Sequence, residues 1–240
     1  MASNKPGACC LKVVYHEGEA KGQFKEIAGL DSYQTGEKFG DEEIIVILTD
    51  IYGYKLPNVA LLADQLSEMS CRQVVIPDIL MGEPVTSYAD EFPTWIQKHS
   101  PEITRPIVDG FLAQLTKEKS PKSLFGVGYC FGAKYCIQNL AKDGYFTAAA
   151  VAHPSFVTIE EVEAVTKPIL ISAAETDPIF TEELRNKTIE TLAANKVTYQ
   201  YDLFLGVSHG FAVKGDLSIP QVKYANEKVL IDQVYFFSQF

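Results

Sequence analysis

Apolar residues along this chain gather in short continuous runs, separated by stretches of helical periodicity. Ile44-Ile45-Val46-Ile47-Leu48 is the clearest run. An unbroken apolar run without alternation predicts a strand buried on both faces, as in a parallel sheet. Further strands are expected over 73–76, 123–125, 147–152, 168–173 and 198–204. Between them, apolar positions recur every three to four residues. The stretch 58–69 reads as a helix with Val59, Leu62, Ala63, Leu66 and Met69 on one face. Helices are also expected over 103–116, 133–140, 181–194 and 222–237. The stretch 81–99, with Pro84 and Pro93, reads as irregular. The first forty residues read as a short β region, with one piece at 11–15 and a turn within 29–34.

Alternation of strands and helices implies right-handed crossovers. The expected architecture is one α/β domain over 1–240, a mainly parallel central sheet with helices on both faces. Ligands of such sheets bind where loops leave the C-terminal strand ends. Asp50, Cys130, His153, Asp177 and His209 all lie just past an expected strand end. Residues far apart in sequence would then share one rim.

Composition narrows the function. The 240 residues are 47% apolar, enough for a large core. The net charge of −10 argues against nucleic acid and against an anionic membrane surface. No apolar run reaches the roughly 18 residues of a spanning helix. The stretch 1–7 lacks the apolar core of a signal peptide. Five cysteines (Cys9, Cys10, Cys71, Cys130, Cys136) form no C-x-x-C pair and no disulfide framework. A cytoplasmic protein without a metal is expected.

The chemistry concentrates at Gly126-Val127-Gly128-Tyr129-Cys130-Phe131-Gly132. A strand leads into it and a helical pattern leads out. Gly128-x-Cys130-x-Gly132 is the G-x-S-x-G nucleophile elbow with a thiol at its apex. Glycines are needed there because side chains would strike the neighbouring strand and helix. The helix start supplies free N–H groups for a thiolate and a developing oxyanion. Cys130, Asp177 and His209 follow the nucleophile, acid, histidine order of α/β-hydrolases. The imidazole takes the thiol proton, and the carboxylate orients the imidazole. Taken singly, each has a plain reading: a buried Cys, an N-cap Asp, a loop His. His153 reads equally as a pocket residue or a structural one. His16 and His99 read as surface residues, Cys136 as core, and Cys9, Cys10 and Cys71 as incidental. The glycines are one residue too long for a dinucleotide fingerprint, and no phosphate loop is present, so no cofactor is expected.

These motifs resemble the dienelactone hydrolase family. The resemblance rests on Thr49-Asp50-Ile51-Tyr52-Gly53, Pro77-Asp78, the Cys130 elbow, Asp177 and His209-Gly210-Phe211-Ala212. It implies an α/β-hydrolase fold with no cofactor or metal, which cleaves a small-molecule ester or lactone through a thioester. It implies Cys130 as nucleophile, His209 as base and Asp177 as its orienting acid. It implies an oxyanion hole from the backbone N–H groups of Phe131 and Ile51, and a contact of Asp50 with the resting thiol. Two arginines that clamp the lactone carboxylate in bacterial members are absent. The stretch 78–82 has none, and Val213 followed by Lys214 stands at the second position. Lys214 is a point charge rather than a bidentate fork, which argues against a dienelactone carboxylate as the natural substrate. The sequence leaves a homodimer open. A reading from another class is a hydrolase-like scaffold whose Cys130 senses oxidants or binds ligands with little turnover.

Overall fold

The computed structural model describes residues 1–5, 13–86 and 88–240. Cys9 and Cys10 therefore lie outside the described residues, as do two residues of the β piece expected at 11–15. The rest of that piece, Val13 to Tyr15, forms no strand.

Eight strands form one sheet in the order β1-β2-β4-β3-β5-β6-β7-β8. They are β1 (Gln23–Ile27), β2 (Leu30–Thr35), β3 (Glu43–Leu48), β4 (Gln73–Pro77), β5 (Ser123–Tyr129), β6 (Ala148–Ala152), β7 (Ile169–Thr176) and β8 (Tyr199–Ser208). The first two form an antiparallel hairpin, and β2 runs antiparallel to β4. All other pairings are parallel. This is the mainly parallel sheet of an α/β-hydrolase.

The unbroken apolar run of β3 is explained by what flanks it. Ile44, Val46 and Leu48 point into one core, with Phe111, Leu112, Ala133 and Tyr135. Ile45 and Ile47 point into the other, with Leu62, Leu66, Val229 and Phe237. The first core is covered by α2 (Tyr88–Lys98), α3 (Pro101–Lys119), α4 (Phe131–Gln138), α5 (Ile159–Glu163) and α6 (Glu182–Ala194). The second is covered by α1 (Pro57–Ser70), α7 (Phe211–Lys214) and α8 (Pro220–Phe237).

Several expectations are corrected. Met69 does not join the buried face of α1 but is 48% exposed, on the last turn before the left-handed cap at Cys71. The stretch 81–99 contains helix α2 despite Pro93. Phe92, Trp95 and His99 recur at helical spacing, and their rings stack at 5.7 and 4.2 Å between centroids. That packing outweighs one missing N–H. His99 is buried, its ring nitrogens 3.0 Å from the Trp95 carbonyl and 3.1 Å from the Leu80 carbonyl. His16 is half-buried, with Nε2 3.0 Å from the Gly215 carbonyl. Strand β8 continues past Phe204 because Gly206 adopts φ 73° at a bulge rather than ending the strand.

Candidate active site

The elbow forms because β5 ends at Tyr129 and α4 starts at Phe131, with one residue between them. Cys130 takes up the turn at φ 49°, ψ −105°, a conformation that non-glycine residues rarely adopt. Its surroundings hold it there. The Cys130 N–H donates to the Ala152 carbonyl at 3.2 Å, and the Cys130 carbonyl accepts from Ser155 N–H at 3.1 Å. Gly132 N–H donates to the Thr49 carbonyl at 2.9 Å. A side chain on Gly132 would strike the carbonyl of Leu48, and one on Gly128 would strike the backbone of Ala133. Both glycines are required by close approach, as the motif implies.

Residues from two further strand ends line up behind the sulfur. His209 follows β8, and its Nε2 lies 3.2 Å from Cys130 Sγ. Its Nδ1 lies 2.8 Å from Asp177 Oδ2. Asp177 follows β7, and its Oδ1 accepts from the N–H groups of Ile179 and Phe180 at 2.8 and 2.9 Å. These donors fix the carboxylate, so its second oxygen faces the imidazole. The side chains of His209 and Asp177 are fully buried. Arg185 of α6 reaches beneath this loop and donates to the carbonyls of Ala174 and Phe180 at 2.9 and 3.3 Å. It ties down both sides of Asp177.

Phe131 is the first residue of α4, so its N–H has no acceptor within that helix. Ile51 is fully buried on the loop after β3, and its carbonyl accepts from Val85 N–H at 2.9 Å. Asp50 on the same loop is buried. Its Oδ1 accepts from Tyr52 N–H at 3.0 Å, while its Oδ2 has no hydrogen-bond partner among the described residues. Asp50 therefore makes no hydrogen bond to the thiol. Burial pushes its carboxyl up, partly offset by the charges of Lys214 and His209. Lys214 is buried at the end of α7, with its ammonium 4.8 Å from the centre of the Tyr52 ring. His153 is fully buried just after β6, with its ring 5.0 Å from that of His209.

One neighbour of the sulfur belongs to no motif in the sequence. Ser155 Oγ lies 3.6 Å from Cys130 Sγ and is fully buried. Its signal was available: it follows β6, the strand beside the elbow strand, by only three positions. The aromatic wall beyond the elbow likewise carries no sequence motif. Trp95 of α2 meets Phe131 edge-on at 5.5 Å between centroids. Among the described residues no cluster of His, Cys, Asp and Glu could hold a metal ion.

The model of the dienelactone hydrolase family matches residues 30–240. Hydrolase pyvD of Aspergillus violaceofuscus is 34% identical over 244 residues, covering 100% of this chain and 99% of that protein. Dienlactone hydrolase 1 of Gibberella moniliformis is 31% identical over 235 residues, covering 92% of this chain and 88% of that protein. The crystal structure of the dienelactone hydrolase-like promiscuous phosphotriesterase P91, from metagenomic libraries, aligns with a TM-score of 0.72 at 16% identity. That alignment covers 92% of this chain and 98% of P91, and it speaks to the fold alone.

Proposed function

This chain belongs to the dienelactone hydrolase family, and from that premise we propose that it cleaves carboxylic esters or lactones through a thioester on Cys130. The observation that carries the reading is the bridging position of His209, with 3.2 Å to Sγ on one side and 2.8 Å to Asp177 on the other. Nε2 accepts the thiol proton, and the thiolate attacks the acyl carbon. The carbonyl electrons move to oxygen, where the N–H groups of Phe131 and Ile51 stabilise them. Collapse breaks the C–O bond, and His209 returns its proton to the departing oxygen. In a lactone that oxygen stays tethered to the acyl group. His209 then takes a proton from water. The resulting hydroxide attacks the thioester, and the sulfur leaves, recovering its proton from His209. Asp177 keeps the Nδ1 proton in place and stabilises the positive ring.

The substrate in this reading is small and needs no carboxylate to be held. Lys214 and Asp50 are both buried, and the lysine charge partly offsets the burial of the Asp50 carboxylate. That compensation leaves the lysine less suited to clamping an anion. The free thiols of Cys71, Cys130 and Cys136 fit a reducing, cytosolic setting. No helix among the described residues is long and apolar enough to cross a membrane.

The test uses p-nitrophenyl acetate and a panel of uncharged lactones. Wild-type enzyme is expected to turn over and to show a transient acetyl adduct on Cys130 by mass spectrometry. Cys130→Ala is expected to lose on the order of 10³-fold or more in rate. Stoichiometric labelling of Cys130 without product accumulation would instead identify a sensor thiol.

A further inference from the structure

The sulfur of Cys130 has a second polar neighbour besides His209. Ser155 Oγ approaches it to 3.6 Å, a hydrogen-bonding distance for sulfur. The serine is fully buried, and a buried hydroxyl needs a partner. Among the described residues, Cys130 Sγ is the one hydrogen-bonding partner of this hydroxyl. Both nitrogens of His209 are already engaged, one by Asp177 and one by the sulfur. Ser155 therefore has no base of its own and is not a competing nucleophile.

The loop that carries Ser155 is fastened at each step. Ser155 N–H donates to the Cys130 carbonyl at 3.1 Å. Phe156 N–H donates to the Asn4 carbonyl at 2.7 Å, and Val157 N–H to Ser3 Oγ at 2.8 Å. The Phe156 carbonyl accepts from Lys134 Nζ at 3.0 Å. Phe156 is held at φ 63°, and His153 at φ 40°. A hydroxyl presented from so rigid a loop costs little to orient when charge develops.

We propose that Ser155 is a further catalytic residue, whose hydroxyl donates to the Cys130 sulfur and stabilises its anionic form. The inference rests on the nucleophile reading above. A thiolate accepts a hydrogen bond far better than a thiol or a thioester sulfur does, because hydrogen bonds to charged groups are the strong ones. The Ser155 proton stays on its oxygen throughout. The donor therefore acts twice: when His209 has taken the thiol proton before attack, and when the sulfur leaves during thioester hydrolysis.

The test is the rate of iodoacetamide alkylation against pH, followed at the Cys130 peptide by mass spectrometry, because Cys71 is exposed and reacts too. Ser155→Ala is expected to move the midpoint of that curve up by about one pH unit, about tenfold in reactive sulfur below it. It should lower kcat by about tenfold with KM little changed. Ser155→Thr keeps the hydroxyl and is expected to hold the wild-type midpoint. A Ser155→Ala curve that coincides with wild type overturns the proposal. So does an equal shift in the Thr variant, which would mark a purely steric role. Full esterase activity in Cys130→Ala sinks the nucleophile reading itself, whereas lost activity there with an unmoved Ser155→Ala curve sinks only the role of Ser155.

Discussion

The ring of His153 meets the ring of His209 edge to face, with centroids 5.0 Å apart and planes 62° apart. Burial holds His153 well below 6.5, and the charges of His209 and Lys214 push in the same direction. It is therefore a neutral neighbour to a ring that, in the proposed mechanism, becomes positive during turnover. The folded protein leaves His153 unprotonated where the unfolded chain binds a proton. Stability is thus expected to fall as the pH drops below about 6.5. His153→Phe keeps an aromatic ring without that proton site. Its melting temperature should fall less steeply than wild type between about pH 6.5 and pH 5 by calorimetry. Parallel profiles would refute this account.

Asp177→Asn tests the orienting role. The asparagine oxygen can still accept from Ile179 and Phe180, so the loop should remain folded. Its amide nitrogen would then face His209 Nδ1 and donate to it. That places the ring proton on Nε2, where it cannot accept from the thiol. The expected loss in kcat is on the order of 10³- to 10⁴-fold, with an unchanged melting temperature. A loss below tenfold in ester hydrolysis would remove Asp177 from the mechanism.

Much of this arrangement was legible because strand ends define the rim. The run Ile44 to Leu48 marked a strand covered on both sides, and the two cores on either side of β3 are its cause. The convergence of Cys130, Asp177 and His209 follows from three parallel strands ending on the same edge. What escaped notice depends on packing rather than pattern. Pro93 hid α2, whose stacked Phe92, Trp95 and His99 rings are contacts no local rule supplies. Gly206 looked like the end of a strand but serves a bulge. Helices α5 and α7 are too short to show a period. Ser155 carries no motif, and its meaning comes only from the sulfur beside it.

Asp50 is expected to trade stability for function. Burial raises its carboxyl above the ordinary value of 3.8, so the folded state holds the proton more tightly than the unfolded chain does. Stability contributed by the protonated form is lost as the pH rises through that raised value. Above that value, burial of the charge is a net cost, which Lys214 only partly offsets. Asp50→Asn should raise the melting temperature at pH 7, with the gain shrinking toward acid pH. Its turnover should fall, because the carboxylate also favours a positive His209. A lower melting temperature at neutral pH would show that the attraction of Lys214 outweighs desolvation.

Gly132 is the position where the elbow tolerates least. Its N–H donates to the Thr49 carbonyl at 2.9 Å, which draws the start of α4 against the end of β3. An added methyl would meet the Leu48 and Thr49 carbonyls, which are backbone atoms of a central strand and its loop and cannot swing aside. Gly132→Ala is expected to cost at least ~2 kcal/mol and to displace the Phe131 N–H from the site. Gly110 offers the contrast. It lies exposed within α3, and an added methyl there meets nothing within 4 Å. Gly110→Ala should stabilise by ~0.5–1 kcal/mol with activity unchanged. Denaturant melts of the two variants, read beside esterase assays, decide the point. Equal tolerance at both positions would mean that the close approach of elbow and strand is not what sets the glycine.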